Sequence, residues 1–266
     1  MEQVMTTETV TTSVDDGVLT VTLARPGAHN ALDRSTKTAL RAALESAADD
    51  DSVRALLLLA DGKNFCVGQD LAEHVSALEA SPASAMDTVV DDYNPLVRAL
   101  TAIDVPVVVG IQGACVGAGF GIALAGDIRV AGESSSFATA FAGIGLAADS
   151  GLSYQLVRLL GPSRATGLLM LGDRVPAAQA LDWGLVHRVV EDDAVRATAT
   201  ELANRLASGP TAAFREIARL VHAPDTGLDD ALDREAAAQR MLGQTTDHRA
   251  AVEAFLAKEK PRFVGH

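Results

Sequence analysis

Apolar and polar residues alternate over positions 10–14 and again over 18–24, on either side of Asp16-Gly17, a pattern that predicts a β-hairpin. Pro26 ends the second strand. Asp33 is placed to cap a helix carrying Leu40, Ala43, Leu44 and Ala47 on one face. Residues 53–60 form a nearly continuous apolar run, as expected of a strand covered on both faces in a parallel sheet. A loop through Phe65 and Gly68 follows, then a mixed stretch, 71–104, that is helical in parts and predicted to roof a pocket. Pro106 precedes the apolar run 107–111, a further strand. A glycine-rich turn, a buried helix and a strand at 127–131 come next.

Beyond this point helical patterns dominate. Pro162, Pro176 and Pro210 each stand where a first helical turn begins, the position at which proline costs least. Residues 186–190 read as a short strand, and 194–206, 211–221, 228–242 and 248–258 as helices. The last of these present charged and alanine-rich faces suited to packing on another subunit. Strand and helix thus alternate over two-thirds of the chain, which predicts an α/β fold with right-handed crossovers and an α-helical C-terminal extension.

Composition narrows the function. Among 266 residues, 22 Lys+Arg face 35 Asp+Glu, giving a net charge of −13, and 48% of the chain is hydrophobic, ample for a core. This acidity, with 7 Phe, 2 Tyr and 1 Trp, argues against nucleic acid, whose phosphates need basic stripes and whose bases need aromatic platforms. An anionic membrane surface is disfavoured for the same reason. Cys66 and Cys115 make no disulfide framework or Cys-x-x-Cys pair, which fits a reducing cytoplasm. Met1 to Thr7 carry neither a basic nor an apolar leader region, so no export signal is expected. Residues 105–126 are uncharged, long enough to span a bilayer, and have GxxxG spacing at Gly113/Gly117 and Gly117/Gly121. Pro106, Gln112, six glycines and the flanking Asp104 and Asp127 favour strand, turn and helix instead.

Several catalytic signatures are absent: no Gly-x-Ser-x-Gly, Walker loop or His-Glu-x-x-His occurs. His29, His74, His187, His222, His248 and His266 are scattered without ligand spacing, so no metal is expected. Gly143-Ile144-Gly145-Leu146-Ala147-Ala148 matches a loose dinucleotide loop, but the residues before it make a poor strand. Two other glycine-rich loops each follow a hydrophobic strand: Phe65-Cys66-Val67-Gly68-Gln69-Asp70-Leu71, and Gly113-Ala114-Cys115-Val116-Gly117-Ala118-Gly119-Phe120-Gly121. Such loops either serve as ordinary turns or expose N–H groups to a ligand. The second also opens a helix whose dipole favours negative charge, and two converging N–H groups would make an oxyanion hole.

These pieces resemble the crotonase, or enoyl-CoA hydratase/isomerase, superfamily along nearly the whole chain. The resemblance is carried by Arg25-Pro26-Gly27-Ala28-His29-Asn30-Ala31-Leu32, by both loops, and by Asp127-Ile128-Arg129-Val130-Ala131. Ile144-Gly145-Leu146, the segment 177–184 with Trp183-Gly184, and Phe255, Lys258, Arg262 and Phe263 complete it. It implies a spiral of ββα repeats, with residues 1–200 as the acyl-CoA-binding core and 201–266 as a helical region for trimerisation and CoA contact. It further implies a homotrimer or hexamer and an acyl-CoA thioester substrate. No separate cofactor is implied, since coenzyme A is part of the substrate. The thioester oxygen would be held by the backbone N–H groups of Gln69 and Ala118. CoA contacts would fall on Ala28, Gln69, Asp70, Leu71 and Ala72, with Phe255 and Lys258 reaching the CoA of a neighbouring subunit.

Departures from the family pattern refine the expectation. Where hydratases hold water between two glutamates, this chain has Gly121 and Phe141. Another carboxylate, Asp149, occupies the position used by single-acid enoyl-CoA isomerases and by the phenylacetate-pathway ring-epoxide isomerase. The latter subgroup is also resembled through Tyr93-Asn94-Pro95-Leu96-Val97-Arg98 and Pro261-Arg262-Phe263-Val264-Gly265, although Ala148 stands where relatives commonly have proline. By its spacing alone Asp149 reads better as a helix N-cap than as an acid. With the resemblance it becomes the acid/base group, its pKa raised by Phe141, Phe120 and their neighbours. Asp70 and Asp127 are expected to brace backbone, and Cys66 and Cys115 to be buried. The expected activity is isomerisation of an enoyl-CoA or a ring-epoxide acyl-CoA; the alternatives are hydration of a 2-enoyl-CoA and an inactive acyl-CoA-binding protein.

Overall fold

The computed structural model describes residues 4–6, 9–48, 50–224 and 226–266; of the leader reading at 1–7, positions 1–3 and 7 lie outside them. Strands β1 (Val4–Thr6), β2 (Val10–Asp15) and β3 (Val18–Leu23) form an antiparallel meander whose second turn is Asp16-Gly17. Helix α1 (Arg34–Ala48) starts on Asp33, whose Oδ1 accepts the Thr36 N–H at 2.8 Å. Next come β4 (Ala55–Ala60), α2 (Leu71–Ala80), a π-helical turn Val89–Tyr93 and α3 (Asn94–Thr101). The glycine-rich centre holds β5 (Val107–Ile111), β6 (Ala114–Val116), α4 (Ala118–Leu124), β7 (Ile128–Gly132) and β8 (Ser136–Ala138). The rest comprises α5 (Leu152–Leu171), β9 (Val175–Pro176), α6 (Ala177–Asp182), β10 (Arg188–Val190), α7 (Val195–Ala207), α8 (Thr211–His222), α9 (Leu228–Leu242) and α10 (Thr246–Ala257).

Seven strands form one sheet in the order β1-β2-β3-β4-β5-β7-β10, parallel from β3 onward. The apolar run in β4 is explained by its two covers. Leu56 and Leu58 face Leu40, Leu44, Leu96 and Leu100 of α1 and α3, while Ala55, Leu57 and Leu59 face Ala199, Leu202 and Ala203 of α7. The uncharged stretch 105–126 divides into β5, β6 and α4, and no helix among the described residues is long and apolar enough to cross a membrane.

Some details differ from the pattern-based expectation. A second sheet, β6-β8-β9, arises from strands of two or three residues, too short for alternation to register. The segment 137–142, a poor strand by pattern, begins inside β8 because parallel pairing with β6 holds it. After it, Ala142–Ile144 is a short 3-10 turn, so the dinucleotide-like glycines are not a strand–turn–helix loop. Gly161 breaks α5 with φ 73° and ψ 165°, and Pro162 opens the second half; Pro176 and Pro210 sit directly before α6 and α8. Helix α7 crosses position 200 and packs on the sheet as far as Ala207. The C-terminal residues fold back: Asp247 accepts the N–H groups of Val264 and Gly265 at 2.7 and 2.9 Å, and Arg54 donates to the Phe263 carbonyl and to Thr211.

Candidate active site

The two glycine-rich loops emerge beyond the carboxyl ends of β4 and β5, where an α/β sheet commonly binds ligands. They are stitched together like neighbouring parallel strands. The Cys66 N–H donates to the Ala114 carbonyl at 3.2 Å, and the Val116 N–H donates to the Cys66 carbonyl at 2.9 Å. At Gly68 (φ 89°) a Cβ would lie 3.1 Å from the Val116 carbonyl oxygen and 3.4 Å from the Ala118 nitrogen, so glycine both supplies the left-handed turn and lets the loops touch.

This stitching determines where two N–H groups point. The Gly68 carbonyl accepts the Leu32 N–H at 2.8 Å. In a trans peptide C=O and N–H are opposed, so the Gln69 N–H of the same plane is directed away from Leu32. The Gly117 carbonyl accepts from Phe120 and Gly121 inside α4, which turns the Ala118 N–H outward from the first residue of that helix. Neither N–H has an acceptor among the described residues. Gln69 and Ala118 line one cavity of about 130 Å³ with Leu71, Tyr93, Phe141 and Asp149.

Asp149 is the one carboxylate among the residues lining that cavity. It sits in the turn before α5, yet its side chain caps no helix N–H. The cap position is Gly151, and the Asp149 Oδ1 accepts the Ser150 hydroxyl at 2.8 Å. Burial pushes its pKa above the ordinary aspartate value, while the Ser150 hydrogen bond and the Lys37 charge pull less strongly the other way. The turn is seated on α4. A Cβ at Gly121 would lie 2.6 Å from the Ser150 carbonyl oxygen and 2.8 Å from its Cβ, so glycine is what the close approach requires. Ser150 is buried and holds a positive φ of 53°, unusual for a residue with a side chain. Gly121 and Phe141, the hydratase glutamate positions implied by the resemblance, thus serve this turn and the cavity wall.

The remaining residues implied by the resemblance are distributed unevenly. Asp70 caps α2, its Oδ1 accepting the N–H groups of Ala72 and Glu73 at 3.1 and 3.2 Å and its Oδ2 meeting Arg25 at 3.1 Å. Asp127 accepts the Val107 N–H at 2.8 Å. Leu71 reaches the cavity; Ala28, in the turn Pro26–Ala28, and Ala72 do not line it. Phe255 (82% exposed) and Lys258, at the end of α10, are also outside the cavity of their own chain. Burial pushes the Cys66 thiol up to about 12 and raises Cys115 as well, so neither is a ready nucleophile. No metal-holding group of His, Cys, Asp or Glu occurs among the described residues.

Two residues of the site carry no signal in the sequence pattern: His74, which lines the cavity from α2, and Tyr93, whose hydroxyl donates to Gln69 Oε1. Lys37, by contrast, falls on the apolar stripe of α1 with Leu40, Leu44 and Ala47 and is 1% exposed. A lysine in register with three core residues is a readable signal for a buried cation.

The enoyl-CoA hydratase/isomerase family pattern matches residues 13–266. Similar proteins include the 1,2-epoxyphenylacetyl-CoA isomerase of Escherichia coli K12, 39% identical across 97% of this chain and 99% of that one. The crotonyl-CoA hydratase of Syntrophomonas wolfei is 30% identical across 90% and 92%. A solved structure from Mycobacterium abscessus that carries the family's name has a TM-score of 0.94 at 58% identity, covering 97% of this chain and 100% of the other. With a cavity flanked by unpartnered N–H groups, a matching family pattern over nearly its whole length and this shared fold, the chain belongs to the enoyl-CoA hydratase/isomerase family of the crotonase superfamily.

Proposed function

We propose that this chain is a single-carboxylate acyl-CoA isomerase. The Gln69 and Ala118 N–H groups hold the thioester carbonyl oxygen and stabilise the enolate formed when the adjacent carbon loses a proton. Each such donor is worth about 3–4 kcal/mol in the transition state. Asp149 takes that proton and returns it at a more distant carbon, moving the double bond from the 3- to the 2-position. With a ring-epoxide acyl-CoA, the substrate type in the name of the E. coli relative, the same group assists ring opening and rearrangement. The observation that carries this reading is the pairing of two unpartnered N–H groups with one lone carboxylate on a single cavity. A raised pKa suits a group that must both accept and donate a proton near neutrality.

CoA itself runs past Ala28, Asp70, Leu71 and Ala72, and Phe255 and Lys258 contact it from a neighbouring subunit of a trimer or hexamer. The cytoplasm is the compartment proposed.

Hydration of a 2-enoyl-CoA is the second reading, favoured by the crotonyl-CoA hydratase among the relatives. Asp149 would then activate water alone. The two readings separate when the enzyme is offered 3-hexenoyl-CoA and crotonyl-CoA. Isomerisation predicts rising absorbance of the conjugated thioester from the first and slow or no loss of it from the second. Rapid loss of crotonyl-CoA absorbance without isomerisation of the 3-enoyl thioester establishes the hydratase. Tight CoA-thioester binding without turnover of either, or of an epoxide thioester, leaves an acyl-CoA-binding protein.

A further inference from the structure

At the wall of the cavity, four polar side chains from four segments close into a ring, two of them, Gln69 and Tyr93, in the lining itself. Lys37 of α1 lies 3.1 Å from Glu73 Oε1 of α2, and that same oxygen accepts the Gln69 side-chain amide at 3.4 Å. The amide's other end, Oε1, accepts the Tyr93 hydroxyl, and Lys37 Nζ stands 4.9 Å from the centre of the Tyr93 ring. Lys37 also donates to Thr88 Oγ1 at 2.6 Å and lies 3.5 Å from Asp92. Glu73 Oε2 takes the Arg34 N–H at 2.6 Å, so both carboxylate oxygens are engaged. Of the ring's members, only Gln69 also belongs to the candidate oxyanion hole, through its main-chain N–H.

A side-chain amide held at both ends has little rotamer freedom left. The loop that carries it turns at Gly68, which holds a positive φ. The bracketing bonds from Leu32 fix the peptide planes on either side, and the amide anchor fixes the residue between them. We propose that Tyr93, Lys37 and Glu73 are positioning residues: the Leu32 bond sets the direction of the Gln69 main-chain N–H, and the ring, by locking the Gln69 side chain, holds that N–H in place at the cavity. This rests on the reading of Gln69 as an oxyanion donor. The ring also ties that donor to α2 and the Val89–Tyr93 turn, so placement of the cavity roof and alignment of the hole are one event.

Acetoacetyl-CoA, a β-keto thioester whose enolate absorbs in the near ultraviolet, reads the hole without needing the base. Butyryl-CoA reads binding of the ground state. Wild type and Asp149→Asn are expected to bind the enolate. Tyr93→Phe and Gln69→Ala, the latter keeping its N–H, are each expected to weaken enolate binding about tenfold and butyryl-CoA binding less than twofold. The double variant loses no more than either single one, because both cut the same ring. If Tyr93→Phe fails to fold, Gln69→Ala at its partly buried position carries the comparison. Enolate binding unchanged in the single variants, losses that multiply in the double variant, or equal loss of both probes overturns the inference. Absence of the enolate band in wild type instead removes the oxyanion reading beneath it.

Discussion

Replacing Gly121 by alanine tests how the acid is held. The new Cβ would stand 2.6 Å from the Ser150 carbonyl oxygen, about 0.8 Å short of the 3.4 Å of an ordinary contact. The obstructing atoms are Ser150 backbone and Cβ rather than the tip of a flexible chain, so the turn must withdraw from α4. Overpacking of this kind costs up to about 3 kcal/mol, and the better helix propensity of alanine returns about 1 kcal/mol. The net loss of about 2 kcal/mol lowers Tm by about 4–8 °C in a chain of this size. The functional effect is larger than the stability effect. A shift of about 1 Å in Asp149 costs on the order of a hundredfold in kcat, whereas KM, set by contacts elsewhere on the thioester, stays within about twofold. Differential scanning calorimetry and steady-state isomerisation kinetics read the two effects. A Gly121→Ala protein with unchanged Tm and kcat would refute the seating of the Asp149 turn on α4. Gly121→Glu, which restores a hydratase-like residue, is expected to lose isomerisation without gaining hydration.

Other outcomes follow from the same geometry. Lys37→Met leaves Glu73 and Asp92 without their buried cation and is expected to cost about 3 kcal/mol in urea unfolding; a loss under 1 kcal/mol would contradict the cluster. Asp149 has a folded pKa above its unfolded one, so between 3.8 and the raised value the folded state holds the extra proton and stability falls as pH rises. Asp149→Asn is therefore more stable than wild type at pH 7, and the difference closes as pH drops toward 3.8; the opposite sign of change refutes the burial effect. For the same reason the acid limb of wild-type turnover lies above pH 3.8. Cys66 and Cys115 resist iodoacetamide in the native protein at pH 8, with labelling more than about a hundredfold slower than for free cysteine. Rapid labelling would show that these thiols open to solvent.

Much of the scaffold is legible from local pattern, because burial imposes periodicity. The hairpin at Asp16-Gly17, the doubly covered β4 and the amphipathic α1 each follow from their own residues. Both loops announce themselves by glycines next to apolar strands. What escapes is set by contacts between distant segments. Gly121 and Ser150 are 29 positions apart, and nothing in either neighbourhood says that a missing Cβ on one makes room for the other. The ring of Lys37, Glu73, Gln69 and Tyr93 joins four segments whose only sequence trace is a lysine on an apolar stripe. The small sheet β6-β8-β9 escapes because its strands are shorter than the period needed to recognise them. By spacing alone Asp149 reads better as a cap than as an acid, and only the hydrogen bonds show that no helix N–H uses it.

Whether one carboxylate moves the proton is decided by the rate at which Asp149→Asn converts 3-hexenoyl-CoA to the conjugated thioester. Asparagine keeps the shape and the Ser150 contact but cannot accept the proton, and general-base loss of this kind is worth about 10²–10⁴-fold. The expected result is a fall of at least a hundredfold in kcat with butyryl-CoA binding retained. Isomerisation within tenfold of wild type would contradict it.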